Sequence, residues 1–186
     1  MKIEVTLSGG LVADLNKLKP EHLDLNVIAK GLSKLCRFGG HTDQFYSVAQ
    51  HSIIVSKLVP PSLAFAALMH DASEAYVQDL VTPIKRQLPD YEDLELMVMS
   101  QLAAYYDIAD HIDHPEVKRA DKHAQAIEMH SLFPEGEMVK HHPWIQTFDL
   151  PHRGMPCWTP DEAAAAFKER FMEVAPTLVR QIAEED

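Results

Sequence analysis

The sequence is poor in several features that would each define a class of protein. It contains only two cysteines, Cys36 and Cys157, so no disulfide framework is indicated and a reducing compartment fits. No segment reaches the roughly 18 consecutive apolar residues that a membrane-spanning helix needs. The first residues, MKIEVTLSGG, lack the apolar core of a signal peptide. We therefore expect a cytoplasmic protein without a membrane partner.

Positive charge is also scarce. The chain has 17 lysines and arginines against 28 aspartates and glutamates, which gives a net charge of -11. Proteins that bind nucleic-acid polymers need a basic surface against the phosphates, so such a partner is not expected. A small anionic ligand is still compatible, because a cleft can be locally positive in an acidic protein. In contrast, eleven histidines in 186 residues is a high number and raises the question of a metal site.

The periodicity of the apolar residues predicts one all-α domain over residues 1–186 with a small β appendage. Ile3, Val5 and Leu7 alternate with polar residues before a Ser-Gly-Gly turn, which predicts a short hairpin within residues 1–14. Apolar residues at helical spacing predict the helices. The predicted helices cover residues 23–38, 44–58, 62–78, 91–106 and 115–133, and a last helix begins at a capping box from Thr159 to Glu162.

The segment 133–158 contains four prolines and has no clear periodicity. We predict a long loop there, of the kind that is more often functional than idle in a compact domain. No repeats, linkers or low-complexity segments interrupt the chain, so a single domain is the simplest organisation.

The stretch ALMHDASEAYVQDLVTPIK, residues 67–85, places polar groups where a helix should be apolar. Leu63, Ala67, His70 and Glu74 lie on one face of the predicted helix, and the first two mark this face as inward. Buried carboxylates need a partner, and a divalent cation would compensate the charge of Asp71 and Glu74. The alternative is that this helix lies at the surface with its His-Asp pair in water.

Two further helices direct ligand-type side chains inward. His51 in YSVAQHS shares an apolar face with Val48 and Ile54. The segment VKRADKHAQAIE has an inward stripe formed by Val117, Asp121, Ala124 and Glu128. Together the three helices predict a site for one divalent transition metal, such as Mn, Co or Zn. Its predicted ligands are His51, His70, Asp71 and Asp121.

The order His, His-Asp, Asp resembles the HD-domain superfamily of metal-dependent phosphohydrolases. The strings CRFGGHTDQFYSVAQHS, MHDASEAYVQDLVTPIKRQLPDY and VKRAD are similar to the 5′-deoxynucleotidase branch and its phage relatives, which include dATP triphosphohydrolases. The resemblance covers about residues 25–172. It implies an HD-domain helical bundle, a homo-oligomer, and the cytoplasm of a bacterium or a phage-infected host. It also implies attack at the α-phosphorus of a deoxynucleotide, with release of the deoxynucleoside from a mono- or polyphosphate.

The resemblance also implies roles for individual residues. It places acid–base catalysis on Glu74 and contact with the sugar or leaving group on Asp79. It assigns substrate binding to Arg37, Phe38, His41 and Lys85. Lys118, with Arg119 and Lys122 beside Asp121, is a candidate for binding a longer phosphate chain. Each assignment has a structural alternative: a hydrogen bond to a ligand histidine for Glu74, a helix cap for Asp79, a core position for Phe38, and surface ion pairs or a solvated face for the cations.

Two other functions fit parts of the pattern. A di-iron oxygenase of the HD fold would need two more histidines facing the centre, and only His111 and His114 lie in the right interval, in a stretch that looks like a loop. A non-catalytic nucleotide-binding module would need the ligands but not Glu74. His141 and His142 also look exposed, while His123 and His130 are interpreted as surface or packing residues.

Overall fold

We describe the fold from a computed structural model that covers residues 2–185, so Met1 of the predicted hairpin and Asp186 of the predicted domain lie outside the described residues. Strands β1, Glu4–Thr6, and β2, Val12–Asp14, pair antiparallel with Val5 opposite Ala13. Gly9 and Gly10 both have a φ of 79°, which lets the chain reverse between the strands. The small hairpin is thus confirmed.

Helices make up most of the remaining chain, which confirms the mainly helical prediction. They are α1 Leu25–Lys34, α2 Val48–Lys57, α3 Ala64–Met69, α4 Glu74–Val77, α5 Thr82–Lys85, α6 Pro89–Tyr105, α7 Pro115–Leu132, α8 Glu137–His141, α9 Pro160–Val174 and α10 Thr177–Glu185. Among the described residues, no helix combines the length and the apolarity that crossing a membrane requires.

Helices α1, α2, α3, α7 and α9 pack around the core. Helix α1 lies against α9, and α2 contacts α3, α7 and α9. Ile28, Leu32, Phe167 and Phe171 are fully buried between these elements. Gly31 lets α4 approach α1 closely, because a Cβ at this position would meet the Cβ of Ala75 at 2.8 Å. This arrangement brings the inward faces of α2, α3 and α7 to one region.

The first predicted helix is too long at its C-terminal end. It ends at Lys34, and Cys36 forms an isolated β-bridge with Ser47. The next residues form a tight turn in which Phe38 has a φ of 55° and Gly39 a φ of 61°. Left-handed backbone cannot continue an α-helix, so Arg37 and Phe38 lie on a turn instead.

The predicted helix over residues 62–78 is not continuous. It ends at Met69, and the backbone then closes tighter turns, with Ala72 N–H bonded to Met69 O at 3.0 Å and Glu74 N–H bonded to Asp71 O at 3.0 Å. A regular α-helix separates neighbouring side chains by about 100° around its axis. His70 and Asp71 lie at this break, and His70 Nε2 is 3.2 Å from Asp71 Oδ2.

The predicted loop over residues 133–158 contains regular structure. It holds α8 and a 3₁₀ turn, Pro143–Thr147, that packs on α7. Ile145 is fully buried against Ala126 and Met129, which anchors the segment to the bundle. The short helix was missed because prolines on both sides leave too few residues to show a period. The last helix begins as predicted, since Thr159 and Glu162 form the capping box.

Candidate metal centre

The predicted ligands lie close together, His51 on α2, His70 and Asp71 just after α3, and Asp121 on α7. His51 Nε2, on α2, lies 3.1 Å from Asp121 Oδ1, on α7, and 3.6 Å from Asp71 Oδ2. His70 Nε2 lies 3.2 Å from Asp71 Oδ2 and 3.9 Å from Asp121 Oδ1. One ligand atom from each of His51, His70 and Asp121 lies within 4.8 Å of the others, so this group can hold a metal ion.

Both histidines present the same nitrogen to the centre. His51 Nδ1 is 2.6 Å from Glu128 Oε1, and His70 Nδ1 is 2.8 Å from Ala67 O. These contacts place a proton on Nδ1, so Nε2 is the nitrogen of each ring that can bind a metal. Each Nε2 is buried and lacks a hydrogen-bond partner in the described structure. Metal-binding histidines show this arrangement, because their second nitrogen donates to a carboxylate or a carbonyl.

The electrostatics of the group also fit a cation. Although burial opposes ionisation, the histidines lower the pKa values of Asp71 and Asp121. Burial and Arg37 lower the pKa of His51, but Glu128 and Asp121 outweigh them and raise it to about 9. The carboxylates therefore stay charged and attract positive charge into a buried site. Two nitrogens and two carboxylates suit several transition metals, so the ligands do not select one of Mn, Co and Zn.

Glu128 has a role that its place on the predicted stripe did not reveal. It is fully buried on α7, and its Oε1 accepts a hydrogen bond from the Tyr46 hydroxyl at 3.0 Å in addition to contacting His51. Its Oε2 accepts from Arg37 Nη2 at 3.0 Å. The sequence signal was its position seven residues after Asp121, which puts the two carboxylates on one helix face.

Arg37 interacts mainly with carboxylates of the protein itself. Besides the bond to Glu128, its Nη1 lies 3.8 Å from Asp71 Oδ2. Its buried Nε has no partner in the described structure. The guanidinium therefore lies next to the centre, and its Nε is a buried donor without a partner among the described residues there.

Glu74 and Lys85 form a second group of charged residues near Asp71. Glu74 is 4% exposed and its Oε2 has no hydrogen-bond partner in the described structure. Burial, together with Asp71 and Asp79, raises the pKa of Glu74 well above its usual value. Lys85 Nζ is 3.9 Å from Glu74 Oε1, but it bonds both oxygens of Glu95 at 2.7 and 2.9 Å. Lys85 is thus held mainly by Glu95.

Two cavities lie beside the Arg37–Asp71 contact, since Asp71 lines the first and Arg37 lines the second. The first, which we call the acidic cavity, has a volume of about 530 Å³ and includes the ligands His70, Asp71 and Asp121 in its wall. The rest of its charged wall is formed by Lys85, Glu92, Asp93, Glu95, Asp113 and Lys118. The second, which we call the aromatic cavity, has a volume of about 430 Å³. Its wall includes Arg37, Phe38, Arg86, Lys122, His142 and Trp144.

Three of the other predicted residues, Asp79, Phe38 and Lys118, line one or the other of these cavities, and His41 lines neither. Asp79 lines the aromatic cavity, where burial and the charge of Asp71 raise its pKa. Phe38 lines the same cavity and packs edge-on against Phe133, with ring centroids 5.2 Å apart. Lys118 lines the acidic cavity but pairs with Asp113 at 2.8 Å. His41 is exposed on the turn after Gly40 and is not in the wall of either cavity.

The remaining histidines do not join the centre in the described part of the chain. His111 is exposed, and His114 caps α7 by accepting from Glu116 N–H at 3.2 Å. His123 Nε2 bonds to Asp149 O at 2.8 Å and stacks on Phe148. A second metal position built from these side chains is therefore not present among residues 2–185.

Comparison with known proteins finds relatives that are named only as uncharacterized proteins. No protein-family model matches the chain. It is 44% identical over 117 residues to the uncharacterized protein YfdR of Escherichia coli (strain K12), a match that covers 63% of this chain and 65% of YfdR. It is 32% identical over 125 residues to an uncharacterized protein of Rhodobacter capsulatus, covering 61% and 63% of the two chains. The match thus spans a little less than two thirds of each relative.

Proposed function

We propose that this protein is an HD-type, metal-dependent phosphohydrolase that removes the 5′ phosphate from a deoxynucleotide. The observation that carries the proposal is the convergence of two histidine Nε2 atoms and two aspartate oxygens beside a cavity, with each histidine Nδ1 held by a second acceptor. The resemblance of the sequence around these residues to 5′-deoxynucleotidases gives the reaction class. A homo-oligomer in the bacterial or phage-infected cytoplasm belongs to the same proposal, and light scattering of the purified protein would measure the assembly.

His51, His70, Asp71 and Asp121 would hold the ion. When bound, a divalent ion would polarise a phosphoryl oxygen and acidify water. Burial and the neighbouring carboxylates raise the pKa of Glu74 well above its usual value, which favours its protonated form. It is therefore suited to exchange a proton during cleavage of the phosphoester. Arg37 offers its unpartnered Nε as a donor close to Asp71.

The two cavities suit different parts of a nucleotide. The aromatic cavity offers Phe38 and Trp144 for a base, and Lys122 Nζ lies 3.8 Å above the Trp144 ring. The acidic cavity holds the metal ligands, so the scissile phosphate belongs at its edge. A nucleotide would then span the Arg37–Asp71 contact, with its base on one side and its phosphate on the other.

The charge of the acidic cavity favours a monophosphate as substrate. Beyond the ligands its wall carries Glu92, Asp93, Glu95 and Asp113. Its two lysines already pair with carboxylates of the same wall, Lys85 with Glu95 and Lys118 with Asp113. The β- and γ-phosphates of a triphosphate would therefore meet net negative charge, which is repulsive in a partly enclosed cavity.

Product analysis by chromatography tests the function. The protein is stripped of metal, reloaded with Mn, Co or Zn, and incubated with each deoxynucleoside mono-, di- and triphosphate and the matching ribonucleotides. We expect a free deoxynucleoside and inorganic phosphate from one favoured monophosphate. No turnover of any nucleotide with any of the metals would contradict the enzyme and favour a nucleotide-binding module.

The negative charge of the acidic cavity predicts how the phosphate preference can be changed. The double variant Glu92→Gln/Asp93→Asn replaces two exposed carboxylates in the wall of the acidic cavity by neutral amides and leaves the proposed metal ligands unchanged. We expect kcat/KM for the triphosphate to rise about tenfold relative to the monophosphate, which equals about 1.4 kcal/mol of reduced repulsion. An unchanged ratio, or a wild type that prefers triphosphate, would show that the phosphate chain does not enter this cavity.

A further inference from the structure

We infer that Glu128 is a positioning residue that holds the metal ligand His51 in the tautomer with its proton on Nδ1 and thereby controls metal affinity. The inference rests on the metal centre of the proposed function but not on the reaction or its substrate. Glu128 does not contact the position where the ligand atoms converge, because it lies against the opposite nitrogen of the His51 ring. Its effect on the metal must therefore pass through the imidazole.

The contact between Glu128 and His51 is buried and short. Both side chains are fully buried, and Glu128 Oε1 lies 2.6 Å from His51 Nδ1. A carboxylate accepts hydrogen bonds and does not donate them, so the Nδ1 atom must carry the proton. The neutral ring then has its lone pair on Nε2, which is the atom that faces Asp71 and Asp121. Any group at position 128 that donates to Nδ1 would place the proton on Nε2 and block the ligand atom.

The hydrogen bond donated by Arg37 would determine how an amide at position 128 orients. It donates from Nη2 to Glu128 Oε2 at 3.0 Å, and a guanidinium has no acceptor. In the variant Glu128→Gln, the amide oxygen would therefore turn toward Arg37. The amide NH₂ group would then point at His51 Nδ1 and donate to it. The conservative substitution thus enforces the wrong tautomer of His51, although it preserves the size of the side chain.

Tyr46 supplies a matched control from the same network. Its hydroxyl donates to the same Oε1 atom at 3.0 Å, and its side chain is also fully buried. Tyr46→Phe removes this hydrogen bond but keeps the carboxylate against His51. If Glu128 acted only by stabilising the fold, both variants would destabilise the protein and weaken metal binding to a similar degree.

The test measures Mn²⁺ binding to the metal-free full chain by the electron paramagnetic resonance signal of free Mn²⁺, without any nucleotide. We expect Glu128→Gln to weaken binding by 10- to 100-fold, the range found for residues that support metal-binding histidines, and Tyr46→Phe to change it by less than about threefold. The double variant Arg37→Met/Glu128→Gln should recover much of the affinity, because the amide oxygen is then free to accept from His51 Nδ1.

Three results would overturn the inference: wild-type affinity in Glu128→Gln, an equal loss in Tyr46→Phe, or a double variant weaker than Glu128→Gln alone. If Glu128→Gln does not fold, judged by circular dichroism, Glu128→Asp takes its place. That variant keeps the charge but withdraws the oxygen from Nδ1, so it should still weaken Mn²⁺ binding by about tenfold. A wild type that binds Mn²⁺ but cleaves no nucleotide would remove the proposed reaction and leave this inference standing.

Discussion

His70→Ala is expected to abolish stable metal binding and to lower turnover to the background rate. His70 Nε2 is one of the two buried nitrogens that face the centre, and its loss leaves Asp71 and Asp121 as adjacent carboxylates with one histidine. A metal supplies several kcal/mol of charge stabilisation in the transition state, so its loss corresponds to at least about a thousandfold in kcat. Metal content by mass spectrometry and nucleotide hydrolysis measure the two effects.

A histidine outside the centre provides the control for this variant. His152 is exposed in the segment between Leu150 and Trp158 and lies in the wall of neither cavity. His152→Ala should therefore match the wild type in metal content and in rate. Asp121→Asn should reproduce the loss seen with His70→Ala, because it removes a ligand charge from a different helix. Full activity in either ligand variant would disprove the metal assignment.

The convergence of His51, His70 and Asp121 could be predicted because polar side chains continue apolar stripes, which is unfavourable unless a partner compensates their burial. His51 and Asp121 each continue an apolar stripe of a long helix, and a buried charge without a partner is unfavourable. Their convergence in the fold follows from the packing of α2 against α3 and α7. The hairpin and the capping box at Thr159 were predictable for a similar reason, since both depend on residues close in sequence.

Features that depend on distant residues could not be predicted in this way. The helix breaks after Met69, where His70 and Asp71 contribute to the centre. The spacing of apolar residues contains no signal for such a break. The bond between Arg37 and Glu128 joins positions 91 residues apart. The pairing of Lys118 with Asp113 likewise decides whether a lysine is available for phosphate, and only the fold shows it.

Glu74→Gln is expected to keep the metal and the fold but to lower kcat by about 10²- to 10⁴-fold, the usual contribution of a general acid or base. Glu74 is buried at the start of α4 beside Lys85, and none of the ligand atoms of the centre belongs to it. Because its pKa is raised, the native protein binds a proton at Glu74 more tightly than the unfolded chain does. The stability contribution of this group therefore falls as pH rises above the ordinary glutamate pKa, and glutamine removes that penalty.

The metal-free Glu74→Gln variant should accordingly have a Tm equal to or higher than that of the wild type at pH 8, while the two converge at pH 4, where both carry a neutral side chain. This pattern separates a chemical role from damage to the fold, because a damaged fold would lower Tm at both pH values. Glu95→Gln is the matched control, since it changes a carboxylate that also contacts Lys85 but faces the acidic cavity. A Glu74→Gln enzyme with wild-type kcat and intact metal would assign the proton exchange to another group, and Asp79, with its own raised pKa, would be the next to replace.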